Sequence, residues 1–281
     1  MEAQVAQWES EEVPFPTSEF NQIPAKAFGL YDPRLEKDSC GVGVIVSPQQ
    51  SHRILQQAQK ILCNLAHRGA ELADNSGDGA GICTNVPHAF FQEELGEGVL
   101  PAPFRYGVGM CFFPNDEHYR AAAEEVLQDS LVVSGLELIQ QREVPINRVA
   151  CGGTALRSLP AIRQIFVREI GGSVEIVPKE EEEAQVVHLN RRLYVARRRM
   201  EKLIALRLGE EWKKRVVACK AQGGRGKGPG ARPSFYVCSL SCSQVVYKGQ
   251  LTCPQLFKFF RDLTNPAYVS GFAMVHRCAE P

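Results

Sequence analysis

Cys40 is the residue whose type and setting most invite chemistry. It stands in EKDSCGVGVIV, residues 36–46, where a charged loop meets a Gly/Val run. A cysteine at a strand start is most often a small hydrophobe. The sharper reading is a nucleophile that becomes a new N-terminus.

The other reactive residue types offer less. Cys238 and Cys242 form the one close cysteine pair. Four strand residues apart, their side chains stand more than about 10 Å from each other. No Cys-x-x-Cys pair is present, so no metal is expected. The Gly/Asp-rich stretch HRGAELADNSGDGAG, residues 67–81, lacks both G-x-x-x-x-G-K-[ST] and G-x-G-x-x-G. It reads as turns rather than a phosphate cradle. GGRGKGPGARP, residues 223–233, is a single short basic tract with no aromatic residue inside it. Nucleic acid is therefore not expected as a partner.

Composition narrows the field further. The 281 residues are 44% hydrophobic and 23% charged, which is globular composition for one large or two small domains. A formal net charge of zero gives no global pull toward nucleic acid or an anionic membrane. No apolar run approaches the roughly 18 residues of a membrane span. The first residues, MEAQVAQWESEEVPFP, are acidic and lack an apolar segment, so they read as neither secretory signal nor transit peptide. The ten cysteines then read as reduced thiols. The expected compartment is the cytoplasm, with a plastid as the alternative.

The elements that must position Cys40 follow from periodicity. Residues 1–39 hold eight acidic and three basic residues, with four prolines, and read as an extension; AFGLYDP at 27–33 is a docked turn. CGVGVIV reads as a buried strand whose glycines permit close approach. Ser51 is the expected N-cap of a helix with Ile54, Leu55, Ala58, Ile61, Leu62 and Leu65 on one face. Strands are expected at ICTNVP and FRYGVGMCFFP, then a helix over 115–135. Two strands follow, LELIQQREVP and RQIFVRE, with ALRSLP between them. Residues 191–232 hold fourteen Lys/Arg and three Glu; 190–212 read as a helix, followed by the basic loop. SFYVCSLS and SQVVYKG are expected to pair as a hairpin. TCPQLFKFFRDL is a short helix with Pro254 in its first turn, and GFAMVH starts a strand. This mixture predicts α and β layers with a mainly antiparallel sheet.

Several blocks carry a family resemblance. GLYDPRLEKDSCGVGVIV, HRGAELADNSGDGAG, VPHAFF and FYVCSLSCSQVVYKGQLTCPQLFKFFRDLTNPAYVSGFAMVH stand in one order. Together they closely resemble the class II, N-terminal-nucleophile glutamine amidotransferase domain of glutamate synthase large subunits. The resemblance spans residues 28–276 and is looser between 115 and 234. It implies an α+β fold, the four-layer α/β/β/α sandwich of N-terminal nucleophile hydrolases, here incomplete. It divides the chain into a leader, 1–39, and a partial amidotransferase domain, 40–281.

The resemblance also implies the chemistry. Cys40 would become residue one after removal of the leader. Its freed α-amino group, with an ordinary pKa of about 7.7 to 8.0, would act as base for a thiol of pKa near 8.5. L-glutamine would yield glutamate and ammonia through a cysteinyl thioester. Uncleaved, Cys40 would carry a non-basic peptide nitrogen and be inactive. Arg68 in HRG matches a family arginine near the nucleophile; Asp78 and Gly79 are weaker candidates. In a full-length glutamate synthase the ammonia would aminate 2-oxoglutarate, with FMN, an iron–sulfur cluster and NAD(P)H or ferredoxin. No such cofactor is expected in this chain, and the remaining synthase domains are the expected partner.

One stretch departs from the pattern. The family continues as V-H-S-R-F-S-T-N, with an arginine that grips the substrate carboxylate. Here VHRCAEP places Arg277 one position early and Cys278 at the arginine's place. On a strand that slip turns Arg277 to the opposite face. The family's oxyanion-hole residues have no counterpart before Pro281. The alternative expectation is thus an inactive amidotransferase-like fragment that binds a partner or regulates.

Overall fold

The computed structural model describes residues 40–172, 179–221 and 232–277. Residues 1–39 with the turn expected at 27–33, most of the expected basic Gly-rich loop and Cys278 lie outside them.

Among the described residues, eight strands form two antiparallel sheets of four, an α+β architecture. The first sheet has the order β1 (Gly41–Ser51), β8 (Ser270–Arg277), β2 (Ala80–Asn85), β7 (Gln244–Gly249). The second has the order β4 (Leu136–Glu143), β5 (Ala161–Glu169), β3 (Tyr106–Phe113), β6 (Tyr236–Ser241). The helices are α1 (Arg53–Asn64), α2 (His88–Leu95), α3 (Glu117–Val133), α4 (Gly153–Arg157), α5 (Lys179–Ala221) and α6 (Cys253–Phe259).

Two cores organise these elements. Ile54, Leu55, Ala58 and Leu62 of α1 are buried with Phe90 and Phe91 of α2, Leu256 and Phe257 of α6, and inward residues of both sheets. Each of the buried Ile, Leu and Phe side chains contributes roughly 1.5–3 kcal/mol on burial. The second core lies on the other face of β3 and β5, where Cys111, Phe113, Ile165 and Val167 meet α3 and α5. Strand β3 is therefore buried on both faces, which is why YGVGMCFF reads as a continuous apolar run.

Four expectations need correction. Strand β1 is buried on one face only: Val42, Val44 and Val46 are 58%, 53% and 70% exposed. It is an edge strand, so alternation governs it rather than full burial. Ser51 does not cap α1; it ends β1, and His52 stands at the cap with its Nδ1 3.0 Å from Tyr268 O. Pairing with Ser270 keeps Ser51 in the sheet. Helix α5 runs from Lys179 to Ala221, well beyond 190–212: Val186 extends the face that Leu189 to Leu208 pack into the second core, and Arg215 pairs with Asp116 beyond the other end. Finally, β6 and β7 do not form a hairpin. They belong to different sheets, and the chain crosses between sheets at Cys242–Ser243. Asn190 Oδ1 accepts from Cys242 N and Ser241 Oγ at that crossing. Two short strands with a two-residue connection look alike in sequence whether they pair or part.

Candidate functional site

The site is built at one end of the first sheet. Gly41 is in register with Arg277, Arg277 with Ala80, and Ala80 with Gly249. Cys40 precedes Gly41 and is exposed there.

Glycines let the neighbours reach Cys40. A Cβ at Gly43 would stand 2.2 Å from Ile61, so only glycine lets α1 lie on β1. A Cβ at Gly41 would stand 3.1 Å from Leu65 and 3.2 Å from Cβ and Cγ of Arg68. The 3-10 turn Ala66–Arg68 at the end of α1 thus sets Arg68 beside the residue next to Cys40.

The following loop is fixed by its own hydrogen bonds. Asp78 Oδ2 accepts from Ala70 N at 2.7 Å, and Ala70 O accepts from Asp78 N at 3.3 Å. Within this clasp Leu72 N donates to Ser76 O at 2.8 Å, and Asn75 takes a left-handed φ of 63°. Asn tolerates that conformation better than most residues. Asp74 ties the loop to α4: its Oδ2 accepts from Thr154 N at 2.6 Å and Thr154 Oγ1 at 2.7 Å. The Thr154 hydroxyl, with backbone donors of Ser76 and Thr154, holds the Asp74 carboxyl well below the ordinary carboxylate range. The stretch expected to be turns is a loop of turns, pinned by its own hydrogen bonds and by Asp74 to α4.

Arg277 closes the arrangement from below. It is 4% exposed and lies on the same face of β8 as Ala273 and Val275. Its Nη1 donates to Cys253 Sγ at 3.0 Å and its Nη2 to Ala70 O at 3.3 Å. Gly69 lies against the guanidinium, where a Cβ would come within 2.1 Å of Nε.

Arg68 Cβ and Cγ thus lie beside Gly41, the residue after Cys40, and Asp78 is tied to Ala70, two residues after Arg68. Gly79 leads from Asp78 into β2. Sequence reasoning missed the roles of Asp74 and of Arg277 as a loop support. A signal for Asp74 existed in the D-x-S turn pattern of Asp74–Ser76; none marked Arg277, whose partners are distant in the chain. The other thiols differ from Cys40. Cys111, Cys238 and Cys242 are buried, and burial pushes Cys238 and Cys242 up to about 12. Cys63 is also raised, by burial first and then by Cys253 nearby.

An exposed thiol at the head of an edge strand, in an α+β domain of two antiparallel sheets, defines a class of thiol-bearing domain. The class-II glutamine amidotransferase family matches residues 40–279, and the chain belongs to that family. The glutamate synthase [NADPH] large chain of Bacillus subtilis is 36% identical over 260 residues, covering 92% of this chain and 15% of its own. The glutamate synthase [NADH] of Schizosaccharomyces pombe is 36% identical over 256 residues, 89% of this chain and 11% of its own. The ferredoxin-dependent glutamate synthase 1, chloroplastic/mitochondrial, of Arabidopsis thaliana is 34% identical over 254 residues, 88% of this chain and 14% of its own. The chain thus spans a small part of these relatives' length. Among the described residues no helix is long and apolar enough to cross a membrane.

Proposed function

We propose that this chain is the glutaminase part of a glutamate synthase, with Cys40 as its nucleophile. The observation that carries the reading is the position of Cys40. It is exposed at the head of β1, and the family match begins at that residue. Cleavage of the 39–40 bond would free an α-amino group on the nucleophile's own residue. That amine takes the thiol proton as the sulfur attacks the side-chain amide carbon of L-glutamine. The tetrahedral intermediate collapses to a thioester, and the proton leaves with the nitrogen as ammonia. Water then attacks the thioester, releases glutamate and returns the proton to sulfur. Arg68 supplies charge support beside the strand end that carries Cys40. The four-layer sandwich and the 40–281 domain boundary belong to this reading.

The ammonia is destined for 2-oxoglutarate in the remaining synthase domains, where FMN, an iron–sulfur cluster and NAD(P)H or ferredoxin act. Relatives with NADPH, NADH and ferredoxin in their names are all similar to this chain, so the electron donor follows from those other domains. The cytoplasm, or a plastid, is the compartment of this reading.

A second reading is favoured by one observation. The Arg277 guanidinium is engaged with Cys253 and Ala70 and buried, so it does not take over the grip on the substrate carboxylate. On that reading the domain binds a partner and does no chemistry.

The test is intact mass and N-terminal sequencing, with and without diazo-oxo-norleucine. A chain starting at Cys40 with one adduct there is the expected result. A chain starting at Met1 with no adduct supports the inactive module.

A further inference from the structure

A cavity lies at the end of the first sheet opposite Cys40. Asn85, the last residue of β2, lines it. Ala80, the first, stands in register with Arg277 at the Cys40 end. The two ends are separated by the length of β2, about 16 Å at 3.3 Å per residue. The cavity holds about 390 Å³, within the usual range for small-molecule sites.

Its walls have a definite chemistry. Phe104, Tyr106 and His88 supply three rings, and Gln50, Asn85 and Ser243 supply neutral polar groups. Among the described residues lining it there is no Asp, Glu, Lys or Arg. His88 Nδ1 is 3.0 Å from Tyr106 Oη, and the two rings meet at 45° with centroids 5.7 Å apart. Burial lowers the His88 pKa, so the imidazole is neutral, and burial keeps the Tyr106 hydroxyl protonated. With Nδ1 engaged by Tyr106, either tautomer leaves Nε2 as a neutral hydrogen-bonding group. Asn85 is fixed from behind: its Oδ1 accepts from Gly271 N at 3.1 Å and lies 3.0 Å from Ser270 Oγ.

The wall also stores strain. Phe104 has a φ of 65°, a left-handed conformation that a bulky side chain rarely adopts. Such residues cost about 1–3 kcal/mol and gather at binding sites. Here the unusual backbone sets an aromatic ring at the cavity rather than in either core.

We propose that this cavity is a binding site for an uncharged heteroaromatic ligand of nucleobase or nucleoside type, separate from the Cys40 site. The rings stack on the heterocycle, and the Asn85 and Gln50 amides, the Ser243 hydroxyl and the His88 Nε2 meet its donor–acceptor edge. The absence of charge in the described wall disfavours ionic ligands, since a buried charge needs a partner. The proposal does not rest on glutaminase activity.

The test uses the purified full chain with adenine, adenosine, uridine and nicotinamide as probes, and AMP as the charged counterpart. Binding is read by calorimetry and saturation-transfer NMR. At least one neutral probe is expected to bind with a Kd below about 1 mM, at least tenfold tighter than AMP. His88→Phe keeps the ring and loses the nitrogens; it should weaken binding about tenfold or more. Ala89→Trp, at an exposed position on the rim, should block the cavity and abolish binding with the thermal midpoint unchanged. Diazo-oxo-norleucine labelling should be the same in all three proteins, whatever its level. No binding by any neutral probe overturns the proposal, as does equal binding by Ala89→Trp and the unaltered chain.

Discussion

Gly69 lies on the guanidinium of Arg277, close enough that a Cβ there would come within 2.1 Å of Nε. The two residues are 208 positions apart in the sequence. Their contact joins the loop behind Arg68 to the last described residue of β8. Arg277 cannot easily yield, because it is buried and its Nη atoms are held by Cys253 Sγ and Ala70 O.

Gly69→Ala should therefore destabilise the domain by about 1–3 kcal/mol through overpacking. Most of that loss should vanish in an Arg277→Ala background, where the obstructing side chain is gone. A double-mutant cycle by urea unfolding measures the coupling, expected at about 0.5–3 kcal/mol. Additive single effects would show that the Arg277 side chain is not the obstacle at Gly69.

Gly77→Ala should be worse. Its Cβ would meet Leu251 C at 2.4 Å, Leu251 O at 2.5 Å and Thr252 N at 2.5 Å, all main-chain atoms ahead of α6. Backbone moves less readily than a side chain, so the loss should reach about 3 kcal/mol, the upper part of the overpacking range. No rescue is expected from Arg277→Ala. A midpoint shift for Gly77→Ala smaller than that for Gly69→Ala would contradict this ranking.

How much of this was legible in the sequence depends on how local the signal is. The α1 face is local: Ile54, Leu55, Ala58 and Leu62 recur at helical spacing and are buried as expected. The capping pattern of α6 is local too, with Gln255 Oε1 accepting from Thr252 N and Pro254 in the first turn. The family was legible because the block around Cys40 and the later blocks resemble it, and the family match begins at Cys40. The parting of β6 and β7 was not, since it depends on β3 and β2 claiming one strand each. The single-sided burial of β1 was hidden because valine suits both an inner and an edge strand. Arg277 was read only against the family pattern; its contacts to Cys253 and Ala70 come from three-dimensional proximity.

Acid should loosen the loop pinned by Asp74. Its folded pKa is depressed, first by the Thr154 hydroxyl and then by backbone donors of Ser76 and Thr154. A depressed pKa stabilises the fold above the unfolded value, near 3.9 for Asp. That stabilisation is lost as pH falls below about 4 toward the lower folded value. Asp74→Asn removes this dependence, so its stability curve should be flatter between about pH 4 and pH 2. Urea midpoints of both proteins across that range give the difference; parallel curves would rule out the effect.

Thiol reactivity gives a direct test of the Cys40 assignment. The thiolate is the reacting form, so access and burial decide which cysteine reacts first. Among the described cysteines Cys40 is exposed, whereas Cys83, Cys111, Cys238, Cys242 and Cys253 are buried and Cys63, Cys151 and Cys219 are intermediate. Burial raises the pKa of Cys63, Cys83, Cys111, Cys151, Cys238 and Cys242, which lowers their thiolate fraction at neutral pH. Brief iodoacetamide treatment at pH 7 should therefore modify Cys40 before any of these six, by roughly tenfold or more. Peptide mass spectrometry reads the site. In Cys40→Ser the fast-labelled peptide that contains residue 40 should disappear while the slow labelling of these six persists. Diazo-oxo-norleucine separates mere access from catalysis, because it must occupy a glutamine site before it reacts. Iodoacetamide labelling of Cys40 without a diazo-oxo-norleucine adduct would leave the thiol exposed but the glutamine site unformed, which is the pattern the inactive module requires.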